Sequence, residues 1–329
     1  LDYLDGRTTV AYTDNMDDDV LIENRVLEEH GDAPPIVAFA EPHKQRIWWG
    51  RTSANPTRAY WSDAGLPEDV LSTNFLDFSD SSTVGDVMTG MTGDFEGRLV
   101  VWTEKAVWAV SGSGNVIGDI VDWSRTRTDA QIGTVSHRAV ARIPAGSTYY
   151  NAEGKQQITT TVTLAYLTPI GDVRIFDGEN DIIVSHPKKD TFDDINYTQR
   201  AKSFCVTDTA RSEVTWMFAS GSAGEPDTAV TWNYRWGVWY ERDWDFAHAI
   251  EIDDSGTASK LVAAEGNITT GGFIYLLWSG NSNNGASIEA IWMTKVIYGV
   301  NDQGDPVIDL SKRWRWGDFT FQTESTTTL

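Results

Sequence analysis

A chain of 329 residues that is 40% hydrophobic and 12% aromatic, with 15 Trp, has material for a large packed core and too many aromatic residues for disorder. Its formal charge of −22, from 48 acidic against 26 basic residues, excludes tight wrapping of nucleic acid, which needs clustered Lys and Arg to displace counterions. The single cysteine, Cys205, excludes an intrachain disulfide framework and a multi-cysteine zinc site.

At the start, Leu1-Asp2-Tyr3-Leu4-Asp5 has neither a basic n-region nor an apolar h-region, so no signal peptide is expected; either the start was removed by processing or further residues precede Leu1. Residues 1–32 read as an N-terminal strand segment: Thr8–Asp14 is strand-like, the acidic run Asp17-Asp18-Asp19 follows, and Asp17–His30 reads as a strand and an irregular crossing. Pro34-Pro35 marks a boundary, and Ile36–Ala40 opens a new run. From there the hydrophobic period is two. Arg98–Trp102 and Ala106–Val110 are short strands joined by Thr103-Glu104-Lys105. Thr159–Leu167 is predicted as one strand, Pro169–Asp172 as a turn, Val173–Phe176 as a strand and Asp177–Asn180 as a turn. Cys205 lies in the strand-like run Ser203–Val206 and reads as a packed core thiol. Glu213–Phe218, Ala229–Tyr234 and Gly272–Trp278 continue the pattern, with hairpin turns at Gly97, Gly171, Asp177-Gly178, Gly237 and Gly271-Gly272. Residues 323–329 read as a polar tail.

No stretch approaches the roughly 18 apolar residues of a membrane helix, so no membrane insertion is expected. The expected fold class is all-β, an antiparallel β-propeller over residues 33–322. At roughly 40–45 residues per four-stranded blade, the chain holds about six or seven. The structural alternative is two or three β-sandwiches of roughly 100 residues each. Trp48, Trp61, Trp102, Trp108 and Trp216, each in an apolar run, are expected to be buried between sheets.

The sequence holds few parts for a catalytic centre. His30, His43, His137, His186 and His248 are spread out, with no zinc-binding His pair, no Gly-x-Ser-x-Gly elbow and no phosphate loop. Asp14–Asp19 lacks the glycine and distal Glu of a calcium loop. Asp254–Thr257 and Asn281–Gly285 approach the sialidase box but fail at its ends, and with 48 acidic residues adjacent carboxylates carry no information. No catalytic, cofactor or metal residue is assigned, and an enzyme is not expected. Trp232, Trp236, Trp239 and Trp244 crowd one region, beside Asp243 and Asp245, and Trp314 and Trp316 share a strand face. They suit packing between sheets or, alternatively, stacking of sugars.

Several segments, in order, resemble the β-propeller tail hub or nozzle proteins of short-tailed bacteriophages, also called packaged-DNA stabilisation proteins. Pro34-Pro35 with Gln45–Gly50 is similar to the opening strand. Arg58–Glu68, where Ser62-Asp63 precedes Pro67-Glu68, is similar to the recurrent strand-plus-turn signature. Asp86–Gly90, Gly97–Val110, Ile132–Val140, Leu164–Leu167, Gly171–Gly178, Tyr234–Trp239 and Ile288–Thr294 follow in the family's order. The resemblance covers Ala33 to Gln322, and the order of its motifs is its specific part; it implies that residues 1–32 are the closing strands of a preceding module. It implies a virion protein in a homo-oligomeric ring, six copies in the family, below the portal and adaptor proteins. Such a protein extends the DNA channel, retains packaged DNA and docks tail fibres or spikes. Double-stranded DNA is expected to pass without tight binding, repelled by acidic walls. Lys188, Lys189, Lys312, Arg313 and Arg315 are expected to pair with acidic neighbours on adjacent subunits. The alternative function is an extracellular glycan-binding or glycan-processing propeller.

Overall fold

The computed structural model describes residues 33–80, 85–117, 120–252, 259–265, 274–277, 299–300 and 306–307. The chain divides into two compact units, Leu1–Trp278 and Ser279–Leu329. Calls on residues 1–32, on Gly271-Gly272, on Asp254–Thr257 and Asn281–Gly285, and on the basic and aromatic residues between 312 and 316 lie outside the described residues.

The first unit is a succession of antiparallel sheets, each assembled from consecutive strands. Sheet one holds β1 (Phe39–His43), β2 (Arg46–Gly50), β3 (Arg58–Trp61) and β4 (Phe75–Asp77). Sheet two holds β5 (Met88–Phe95), β6 (Arg98–Thr103) and β7 (Val107–Ser111). A small hairpin, β8 (Val116–Ile117) with β9 (Ile120–Val121), precedes its last strand, β10 (Ser124–Arg127). Sheet three begins with β11 (Val140–Ile143), is interrupted by a separate hairpin of β12 (Thr148–Tyr150) and β13 (Gln156–Ile158), and resumes with β14 (Thr163–Leu167), β15 (Val173–Phe176) and β16 (Asp181–Ile183). A connector with one short helix, α1 (Lys189–Asp193), leads to sheet four: β17 (Phe204–Asp208), β18 (Glu213–Phe218), β19 (Thr228–Asn233) and β20 (Val238–Arg242). Sheet five holds β21 (Phe246–Ile252), β22 (Lys260–Glu265) and β23 (Ile274–Leu276). In the second unit, β24 (Gly299–Val300) pairs antiparallel with β25 (Pro306–Val307).

Period-two alternation explains how these sheets stack. In β6, Leu99 and Val101 pack into a core with Trp48, Trp61 and Phe78 of the sheet-one region, whereas Val100 and Trp102 pack into another with Leu164, Tyr166 and Phe176 of sheet three. Ala165 and Leu167, on the opposite face of β14, join Val214, Trp216 and Phe218 of β18. Met217, between Trp216 and Phe218 in sequence, turns the other way to Ala249, Leu261 and Ala263 of sheet five. Successive side chains of a strand point to opposite faces, so a strand apolar at every position supplies two cores. Trp48, Trp61, Trp102, Trp108 and Trp216 are all buried, as their apolar settings predicted.

The alternation ends at sheet five. Ile250 and Ile252 of β21 and Ile274 and Leu276 of β23 are exposed, Ile274 by 76%. Val262 and Ala264, paired with Leu276 and Ile274, share that face. It is an apolar sheet face turned to solvent.

One expectation needs correction. Thr159–Leu167 is not one strand: β14 starts at Thr163. The reason is local polar chemistry, because the Thr159 backbone N–H donates to Ser147 O (2.9 Å), its Oγ1 donates to Pro144 O (3.3 Å) and accepts from the Ser147 N–H (3.0 Å). These bonds tie Thr159 to the base of the inserted hairpin. Lys188 and Lys189 find their partners within the chain. Lys188 Nζ donates to Glu241 (2.8 Å), and the helical i, i+4 spacing brings Lys189 Nζ to Asp193 (2.5 Å). The predicted glycine turns hold where described: Gly97 and Gly237, with φ of 73° and 70°, close hairpins in the left-handed region. Cys205 is half-buried on β17 against the core shared by sheets three and four.

Candidate functional site

Each sheet begins with an edge strand, and those first strands lie side by side: β1 against β5, β11 against β17, and β17 against β21. The short turn His137–Ala139, which leads into β11, touches both β5 and β17. Its His137 ring also stacks on Phe39 of β1, with centroids 5.2 Å apart and planes inclined by 13°. First strands from sheets one, two and four therefore meet around the entrance to sheet three. Small residues permit the approach. A Cβ on Gly90 would lie 2.9 Å from the His137 Cα, and one on Gly93 would lie 2.1 Å from the Pro42 carbonyl oxygen.

At this meeting point β5 is irregular. Its register against β6 shifts between Thr92 and Phe95, and Asp94 has a φ of 50°. A bulge of this kind releases backbone groups from the ladder. Neighbouring sheets supply the partners. The Gly93 N–H donates to Glu41 Oε1 (2.9 Å), and Arg142 Nη2 donates to Gly93 O (2.9 Å). The Met91 N–H donates to His137 Nδ1 (3.3 Å). His43 Nδ1 lies 2.7 Å from Asp94 Oδ1. Glu41 Oε2 stands 3.8 Å from His137 Nε2. Burial pushes the Glu41 carboxyl above its usual range and holds His43 and His137 below theirs. The arrangement ties β1 and β11 to the bulge through charged and dipolar contacts, most of which end on backbone atoms.

The other residues singled out in the sequence scatter. His186 is exposed on the connector, and His248 sits edge-on to Phe204 at 5.1 Å. Trp232 and Trp239 stack at 5.7 Å and 9°, both buried; Trp244 is half-buried, with the Arg242 guanidinium 4.5 Å from its ring. Trp236 alone of this group is exposed, at 62%. Asp243 and Asp245 are exposed. A shallow depression lined by Asp190, Thr191, Asp194, Ser220, Thr228 and Glu241 escaped sequence reasoning, because carboxylates are abundant everywhere in this chain. Among the described residues no group of three or more His, Cys, Asp or Glu side chains could hold a metal ion, and no helix is long and apolar enough to cross a membrane. The Glu41, His43, Asp94 and His137 cluster was also invisible in sequence. Its members are up to 96 positions apart, and only Gly90 and Gly93 inside a strand-like run hinted at close approach.

No family model matches the chain, and no curated protein matches it.

Proposed function

We propose that this chain is a structural virion protein, a hub or nozzle component in the tail of a short-tailed bacteriophage, whose sheets are blades of a β-propeller. The observation that supports the reading most is the meeting of first strands at His137. Antiparallel meanders that stack face to face, each with its first strand at a common seam, have the arrangement of propeller blades. The exposed apolar face of sheet five is that of a blade with a further neighbour. The ordered motifs between Ala33 and Gln322 add the family, and the charge of −22 suits a channel past which DNA moves without adhering. The role is then mechanical and electrostatic: a ring of copies, six in the family, extends the DNA channel below the portal and adaptor proteins, retains the genome and docks fibres or spikes. Virion tail localisation follows from the same reading. The glycan-binding alternative draws less support, since Trp232 and Trp239 are buried and Arg242 lies against Trp244, leaving Trp236 as the open ring of that group.

The test is native mass spectrometry with negative-stain imaging of the purified chain. A ring of about six copies is expected. A monomer that binds glycans on an array overturns the assignment.

A further inference from the structure

In His43 and His137 alike, one ring nitrogen has surroundings that disfavour a second proton: a dry site without an acceptor at His43 and a backbone N–H donor at His137. His43 Nδ1 is 2.7 Å from the Asp94 carboxylate and 3.3 Å from the Asp94 backbone nitrogen, so a neutral ring can donate to the one or accept from the other. Its Nε2 is buried and, among the described residues, has no hydrogen-bond partner. A second proton would have to sit there, dry and without an acceptor. At His137, Nδ1 accepts the Met91 N–H at 3.3 Å, so the ring proton is on Nε2, facing Glu41. A second proton at Nδ1 would meet the Met91 N–H head-on and break that bond. Both rings lie where β1, β5 and the turn before β11 join, packed against Trp123 at 5.8 Å and Phe39 at 5.2 Å.

We propose that this seam is an acid-labile joint, in which protonation of His43 and His137 uncouples β1 and β11 from the bulge of β5. The neighbouring charges set the balance. Asp94 favours a cation at His43, but its side chain is 66% exposed and its field is screened; Lys44, on the same turn, opposes it. Glu41 favours a cation at His137, whereas Arg138 opposes one, and Arg142 lies within the field of Glu41.

The sign follows from linkage. A histidine held neutral in the folded chain stabilises it above the ordinary value of 6.5, and that stability is lost as pH falls below 6.5 and the unfolded chain takes up the proton. Each such ring raises the unfolding equilibrium constant by up to about tenfold per pH unit. Glu41 works the other way, because its raised folded value makes the native state take a proton as pH falls. His248, also held below 6.5 by burial, acts in the same direction as the two seam rings, so the net expectation is a rise in the unfolding equilibrium constant as pH falls from 6.5 to roughly 5. Over that range the depressed carboxylates Asp77 and Glu241, whose contributions fade below their ordinary values of 3.8 and 4.5, add little.

The experiment is urea unfolding of the full chain, followed by tryptophan fluorescence at steps between those pH values. The double variant His43→Asn/His137→Asn keeps an amide at each Nδ1 position and removes both titrations, so its profile should be flatter by up to about a hundredfold per pH unit, tenfold for each ring. Glu41→Gln, which keeps an acceptor for Gly93, should steepen the profile. A parent profile that is flat, or a double variant with the parent's slope, overturns the proposal. If the double variant does not fold, ring-proton NMR of the unaltered chain decides. Resonances assigned to His43 and His137 that titrate below 6.5 support the joint, and titration of both at the ordinary value overturns it.

Discussion

Replacing Trp102 with alanine tests the stacking of sheets two and three at its centre. The side chain is fully buried, 4.6 Å from Tyr166 and 5.6 Å from Phe176 by ring centroids, and its Nε1–H donates to Thr92 Oγ1 at 3.0 Å. A tryptophan buries roughly 150–250 Å². At about 25 cal/mol per Å² that burial contributes about 4–6 kcal/mol, of which alanine retains a small part. Loss of the indole hydrogen bond costs about 1 kcal/mol more, unless Thr92 finds water in the vacated space. The cavity is walled by rigid rings on two sheets, so collapse is limited, and Trp102→Ala should destabilise by about 4–5 kcal/mol. Urea unfolding of parent and variant, with equal m-values, measures it. Trp236→Ala, on an exposed turn, provides the contrast and should change stability by no more than about 0.5 kcal/mol. Should Trp102→Ala cost less than about 1 kcal/mol, or both variants cost the same, the two sheets do not pack through this ring.

Three further outcomes are expected. Gly93→Ala should destabilise by about 1–3 kcal/mol, read by the same urea titration, because its Cβ would lie 2.1 Å from the Pro42 oxygen; an unchanged midpoint would separate β1 from β5. Burial pushes the Cys205 thiol up to about 12, so a disulfide reagent at about pH 8 should react slowly with the folded chain and rapidly in denaturant; equal rates would contradict its packing. At about 150 mM salt the purified protein should show no appreciable affinity for duplex DNA in fluorescence anisotropy, and submicromolar binding with a steep salt slope would point to a basic lining instead.

Much of the architecture was legible in the sequence because its causes are local. Alternation in Arg98–Trp102 and Glu213–Phe218 depends on side chains pointing to opposite faces every residue, and turns at Gly97 and Gly237 depend on φ values that favour glycine. The apolar settings of Trp48, Trp61, Trp102, Trp108 and Trp216 identified buried rings. The two-sided character of β6 rests on its unbroken apolar run Leu99–Trp102. What a run cannot specify is its neighbour. Leu99 and Val100 are equally apolar, yet one packs with sheet one and the other with sheet three, and that choice belongs to the order in which whole sheets stack. The inserted hairpin of β12 and β13 arose from hydrogen bonds of Thr159 to Ser147 and Pro144, which the strand-like run Thr159–Leu167 concealed. Lys188 met Glu241, 53 positions away, because the connector and β20 are neighbours in space. The candidate site is the extreme case. Glu41, His43, Asp94 and Arg142 belong to three sheets and His137 to the turn before β11, and each is unremarkable in its own segment. Only tertiary structure brings them to one bulge, where β5 leaves its ladder and freed backbone groups need partners from other strands.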